Sequence, residues 1–224
     1  MEIRRALAID LTESAAMKGG FEPALLAALQ GGAQWVQFRE RELAPRAQIE
    51  AFRRAQRICE RFGAQLFLNG RADLARAVHG DGLHLPEWEL PVDAARMSLG
   101  FHTPIGVSAH SVETAKRAAG EGADYVVFGA VYATPSHPDS LPAGLPALAQ
   151  VASAVSVPVY AIGGITPERV AACLEAGAAG VAVIRAVWAS TDPAGAVRAL
   201  RAAVGEPVVS AHHAPAGVPD HLKR

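Results

Sequence analysis

Bare backbone and fixed positive charge recur together at a few short corners of this sequence, a pairing suited to binding anions. "AIGGIT" (161–166) and "VAVIRAV" (181–187) are two such corners. Gly163 and Gly164 let backbone N–H groups approach a ligand closely, and Ile184 with Arg185 stands where a short helix can open. Helix N-termini favour negative charge. Gly163, Gly164, Ile184 and Arg185 therefore read as a phosphate cradle, or more plainly as a tight turn beside a helix. In "VQFRER" (36–41), Gln37, Arg39 and Arg41 alternate with Val36, Phe38 and Glu40. If Val36 and Phe38 face helices, Gln37 and Arg39 point inside the sheet. An interior guanidinium is costly without an anion, so Arg39 meets either a ligand or an internal acid such as Asp10.

"FLNGRADL" (67–74) places Asn-Gly after an apolar run, normally a hairpin signal. The following residues have helical spacing instead, so Asn69 ends a strand at a strand-to-helix corner. Ser108 ends "PIGVS" (104–108) in the same manner. His84, His110 and His137 lie near the ends of such runs, and any could be an acid–base group or a hydrogen-bonded structural residue. Thr134 and Ser136 lie in "GAVYATPSHPDSLPAGL" (129–145), a long loop that reads either as a lid or as plain surface. His79 and His102 fall at the opposite ends of strands. The histidines beyond 205 sit in a Pro/Ala-rich stretch without the fixed geometry a metal needs.

The elements that must position these residues share a signature. A helix ends, Gly-Ala follows, and a β-rich run begins, as in "GGAQWVQFR" (31–39), "FGAQLFLNG" (62–70), "EGADYVVFG" (121–129) and "EAGAAGVAVI" (175–184). With "RALAIDL" (5–11), "DGLHL" (81–85), "PIGVS" and "VPVYAIGG" (157–164) that makes eight strands separated by helical stretches. The spacing predicts an α/β fold, a single-domain (β/α)8 TIM barrel over residues 1–204, whose functional groups gather at the C-terminal ends of its strands. The rival is a doubly wound open sheet. "IDLTESAAMKGG" (9–20) is not the glycine-rich turn such a sheet would more often carry. Residues 205–224 read as a tail outside the domain.

The chain has 224 residues and a formal net charge of −1, which gives no electrostatic reason to expect nucleic acid or an anionic membrane. Its two cysteines, Cys59 and Cys173, lack CxxC spacing and read as buried thiols in a reducing compartment. With neither a signal-peptide core nor an apolar run of spanning length, the expectation is a cytoplasmic protein whose partner is a small molecule. Homo-oligomerisation stays open.

The ordered set "VQFRE", "LNGRADLA", "GDGLHLPE", "GVSAHS", "GADYVVFGAVYAT", "VYAIGGITPERV" and "AGAAGVAVIRAV" resembles the thiamine phosphate synthase and thiazole tautomerase superfamily. The resemblance implies a phosphate-binding barrel with two branches. The synthase branch joins a pyrimidine diphosphate to a thiazole phosphate. It uses magnesium held by an Asp after the third-strand Asn and by another after the fourth strand. Those positions are Gly70 and Glu89 here. Gln37, Arg39, Asn69, Ser108 and Thr134 match that branch, whereas Arg41 and His137 stand where it has Lys, and Ser136 replaces a Thr. The tautomerase branch is closer at "NGR", "RER" and "HLPE", although its acid–base His falls on Ala130.

On the resemblance, the sequence reads as a metal-free isomerase that aromatises a thiazole carboxylate phosphate by proton transfer. His110, then His137, then His84 would be the proton shuttle. Arg39 would anchor the carboxylate, Gln37, Asn69 and Ser108 would orient the ring, and Gly163, Gly164, Ile184 and Arg185 would hold the phosphate. No cofactor is expected. The alternatives are a divergent synthase, with magnesium on Glu89, and a non-catalytic thiazole-phosphate-binding barrel.

Overall fold

The computed structural model of the protein describes residues 20–135 and 141–205, with the backbone of Leu7–Thr12. Strand and helix alternate: β1 (Leu7–Thr12), α1 (Phe21–Gln30), β2 (Trp35–Arg39), α2 (Pro45–Glu60), β3 (Gln65–Asn69), α3 (Ala72–Val78), β4 (Gly82–Leu85), α4 (Val92–Leu99) and β5 (Ile105–Ala109). The alternation continues through α5 (Val112–Gly120), β6 (Tyr125–Phe128), α6 (Gly144–Ala154), β7 (Val159–Ile162), α7 (Pro167–Glu175), β8 (Gly180–Val183), α8 (Arg185–Trp188) and α9 (Pro193–Val204). Each strand pairs in parallel with the next. The backbone of β1 bridges β2 and β8, which completes the ring of strands. The expected α/β organisation, with parallel strands and intervening helices, is what the structure has.

The Gly-Ala hinges work as the sequence suggests. Gly32, Gly63, Gly122 and Gly177, each between a helix and a strand, have φ of +64° to +95°, a region open to glycine and unfavourable to residues with a Cβ. Each therefore turns the chain sharply from helix into strand.

The period-two alternation of the strands builds two separate apolar layers. Val36, Phe38, Leu66, Leu68, Leu83, Val126 and Val181 face the helices as part of the larger core. Trp35, Phe67, Tyr125, Val127, Tyr160 and Ala182 form a second cluster inside the ring, with Ile162 against it. There Trp35 packs edge-on to Tyr125 and Tyr160 at 4.8 and 5.1 Å between centroids. Gly82 and Gly106 make room for these rings, since a Cβ on either would clash with the ring of Phe67 or Tyr125 respectively. Two residues further along β2, β3, β4 and β5, the inward positions turn polar: Gln37, Asn69, His84 and Ser108. Sequence alternation thus sets a polar layer on an aromatic floor.

Candidate active site

Arg39 ends β2 and is half-buried, on the inward face shared by Trp35 and Gln37. The expectation that Val36 and Phe38 face the helices while Gln37 and Arg39 turn inward is met. The Asp10 side chain, named above as an internal acid, lies outside the described residues, as do Ser136 and His137.

His84 lies fully inside the ring. Its Nε2 is 2.8 Å from Ser108 Oγ and its Nδ1 is 3.2 Å from Tyr125 Oη. Burial, with the positive charges of Arg39 and Arg41, pushes its pKa down to about 3. The imidazole is therefore neutral across the working range and is unsuited to the shuttle role the sequence suggested for it. A buried base in the field of two cations does not gain a proton near pH 7.

His110 is exposed and takes a different place. Just beyond β5, its Nδ1 meets a carboxylate oxygen of Glu87, in the loop after β4. The Arg117 guanidinium holds the Glu87 carbonyl oxygen of that same loop at 3.3 Å. These contacts tie the β4 and β5 corners together at the rim.

The corners after β2, β3 and β4 converge on a cleft of about 170 Å³, lined by Arg41, Leu43, Gln48, Asn69, Gly70, Arg71, Trp88 and Glu89. Arg41 donates to Asn69 Oδ1 at 3.2 Å and lies 5.2 Å over the Trp88 ring. Trp88, which the sequence reading passed over, is 74% exposed. A lone Trp in a corner loop was the available signal.

Gly70 has φ +67°, and a Cβ built there would lie 2.8 and 2.9 Å from the two Glu89 carboxylate oxygens. Glu89 accepts the Arg71 backbone N–H at 3.0 Å. A carboxylate thus does occupy the space above the third corner, supplied by the fourth. The Arg71 guanidinium turns away onto Asp73, at 2.9 and 2.7 Å. Among the described residues no cluster of three or more His, Cys, Asp or Glu could hold a metal by itself. One carboxylate beside an amide and a guanidinium suits Mg²⁺ only together with phosphate oxygens and water, which is the usual manner of Mg²⁺ at phosphate-transfer sites.

Across the ring, Gly163 and Gly164 follow β7 with φ of +97° and +63°. Ile184 precedes α8, whose first N–H groups have no acceptor within the helix. β7 and β8 are neighbours, with Ile162 opposite Ala182, so the two corners adjoin. Tyr132 donates its N–H to the Gly163 carbonyl at 3.0 Å, and Arg169 donates to the Gly164 carbonyl at 2.6 Å. Ala130 lies close against Gly163. Arg185 is exposed, and Thr134 is half-buried in the loop after β6. Cys59 and Cys173 are free and buried, and burial pushes the Cys59 thiol up to about 12, so neither is a nucleophile candidate.

The family model described as thiamine monophosphate synthase matches residues 11–187. A putative thiamine-phosphate synthase of Geobacter sulfurreducens is 44% identical over 176 residues, covering 78% of this chain and 83% of its own. The thiamine-phosphate synthase of Moorella thermoacetica is 42% identical over 190 residues, covering 83% and 90%. The bifunctional protein ThiM/ThiE of Symbiobacterium thermophilum is 46% identical over 82% of this chain, which spans 39% of that longer protein. A solved thiamine phosphate pyrophosphorylase from Pyrococcus furiosus superposes with a TM-score of 0.80 at 31% identity, covering 89% of this chain and 95% of that one.

These relatives carry the synthase name, which corrects the isomerase expectation. The expectation rested on the rim histidines, on the likeness at "NGR", "RER" and "HLPE" and, in its exclusion of magnesium, on Gly70, read as a lost carboxylate. The reach of Glu89 across to Gly70 removes that last reason. The proton-shuttle roles given to His110, His137 and His84 fall with it.

Proposed function

This chain belongs to the thiamine monophosphate synthase family, and on that premise we propose that it is a transferase joining a pyrimidine diphosphate to a thiazole phosphate. The observation that carries the proposal is the Glu89 carboxylate above Gly70, beside Arg41 and Asn69, in a cleft suited to a diphosphate and a divalent cation. In the reaction a thiazole ring nitrogen attacks the exocyclic methylene carbon of the pyrimidine. The new C–N bond forms, the C–O bond to the diphosphate breaks, and its electron pair leaves with pyrophosphate. No oxidant and no net proton transfer at carbon is required.

Negative charge grows on the departing diphosphate, and Arg41 and Arg39 are fixed cations on that side of the ring, where such charge is best stabilised. Magnesium, carried on Glu89 and the diphosphate, would supply further charge neutralisation to the leaving group. Gln37, Asn69 and Ser108 orient the pyrimidine diphosphate, and Thr134 approaches from the loop after β6. Gly163, Gly164, Ile184 and Arg185 hold the thiazole phosphate across the ring. Holding the two phosphates at opposite sides of one mouth brings the reacting nitrogen and carbon together, and much of the acceleration comes from that orientation.

The test is a coupling assay with both phosphorylated substrates and Mg²⁺, scoring thiamine phosphate and pyrophosphate. Stoichiometric formation of both supports the proposal. Absence of coupling in folded protein would overturn it.

A further inference from the structure

His84 is neutral and buried, yet both of its ring nitrogens are engaged, by Tyr125 Oη at 3.2 Å and Ser108 Oγ at 2.8 Å. A neutral imidazole has one N–H donor and one acceptor nitrogen. Between these two partners the ring therefore has two arrangements. In one, Tyr125 donates its phenolic proton to Nδ1, Nε2–H donates to Ser108 Oγ, and the serine proton is left to point outward. In the other, Nδ1–H donates to Tyr125, and the serine proton is consumed by Nε2.

Two considerations choose between them. A phenol gives up its proton more readily than a neutral imidazole does, so O–H···N is favoured over N–H···O at Tyr125. In addition, Arg39 and Arg41 make the field around this line positive, so its natural occupant is an anion. A serine turned outward with only lone pairs would repel an anion, whereas one turned outward with its proton would bind it. Ser108 is half-buried while His84 and Tyr125 are buried. The serine is thus where the line opens towards the mouth.

We infer that His84 is a positioning residue, whose Nε2–H fixes the Ser108 hydroxyl as a hydrogen-bond donor towards an anionic oxygen of the substrate. The inference rests on the reading of Ser108 as a substrate contact. Tyr125 belongs to the same device: it is a wall of the aromatic floor and also sets the tautomer of His84.

Two measurements test this. The first is ¹⁵N–¹H correlation of the histidine rings in the full-length protein, with H84Q assigning the His84 signals. The Nε2–H tautomer at pH 7 is expected, collapsing to a mixture in Y125F. A Nδ1–H tautomer or a protonated ring would overturn the inference. The second is steady-state coupling with S108A, H84F, H84Q and the H84F/S108A double variant. Loss of one hydrogen bond to a charged group should lower kcat/KM about ten- to a hundredfold in S108A and comparably in H84F. The double variant should lose little more, because both changes remove the same donor. H84Q, whose side-chain amide N–H can reach the Nε2 position, should recover about tenfold over H84F. Additive losses, or no recovery in H84Q, would overturn the positioning role. If the wild-type protein does not couple the substrates, the transferase reading fails on that result alone. The tautomer of His84, read without turnover, still decides the inference.

Discussion

Gly70→Ala isolates the contact on which the functional proposal turns. The new Cβ would lie 2.8 Å from one Glu89 oxygen and 3.2 Å from its Cδ, at a backbone φ of +67°. The carboxylate end of Glu89 is flexible and gives way, so the clash itself is cheap. The left-handed backbone costs about 1–2 kcal/mol for a residue with a Cβ. Displacing Glu89 also breaks its bond to the Arg71 N–H. That bond is to a charged acceptor but is exposed, so its contribution is discounted to about 1 kcal/mol. The sum is roughly 2–3 kcal/mol, which lowers the melting temperature by about 4–12 °C for a chain of this size. The more telling readout is electron paramagnetic resonance of Mn²⁺ with inorganic pyrophosphate. Wild-type protein should bind Mn²⁺ tightly only when pyrophosphate is present, because the cleft offers one carboxylate. E89Q should lose that binding with a small change in stability. G70A should weaken it by about tenfold, the effect expected of a displaced metal ligand or its support. Mn²⁺ binding in E89Q equal to wild type in the presence of pyrophosphate would refute the reasoning.

Three further outcomes follow from the same geometry. His84 takes up no proton in the folded state until about pH 3, whereas an unfolded histidine does so near pH ~6.5. Below that pH the unfolded chain binds the extra proton, so His84 makes folding stability fall as pH drops from ~6.5 towards 3, by about 1 kcal/mol per unit. Urea denaturation between pH 7.5 and 5 should show this slope reduced in H84Q, and an unchanged slope would contradict it. Arg41→Met keeps an apolar stem over Trp88 but removes the charge and the bond to Asn69. KM for the diphosphate should rise about tenfold or more with a minor change in melting temperature, and unaltered kinetics would remove Arg41 from the site. Gly106→Ala drives a methyl into the Tyr125 ring. Overpacking of this kind costs about 1–3 kcal/mol, and calorimetry showing a wild-type melting temperature would disprove the tight packing described.

What the sequence made legible was local. The Gly-Ala hinges were readable because a positive φ demands glycine, and four of them fell at one phase of a repeating unit. The inward face of β2 was readable because period two leaves only one choice once Val36 and Phe38 are assigned to the helices. The Glu89–Gly70 contact was not readable. It joins two loops, and its geometry depends on the register of β3 against β4. For the same reason Gly70 misled: a missing side chain shows in one dimension, while its replacement from a neighbouring loop shows only in three. His84 was recognised as chemically interesting, but its buried partner is Tyr125, a residue that in sequence is simply part of an apolar strand. His110 lay near a strand end as expected, and its contact with Glu87 gives it a place at the rim.

The aromatic floor beneath the polar layer also governs traffic. Trp35, Phe67, Tyr125 and Tyr160 stop the lower half of the ring, so the molecule is a cup and not a tube. Whatever reacts in it must arrive and depart through one opening. Released pyrophosphate would leave past the same guanidinium that receives the next diphosphate, and the two would compete for it at every turnover.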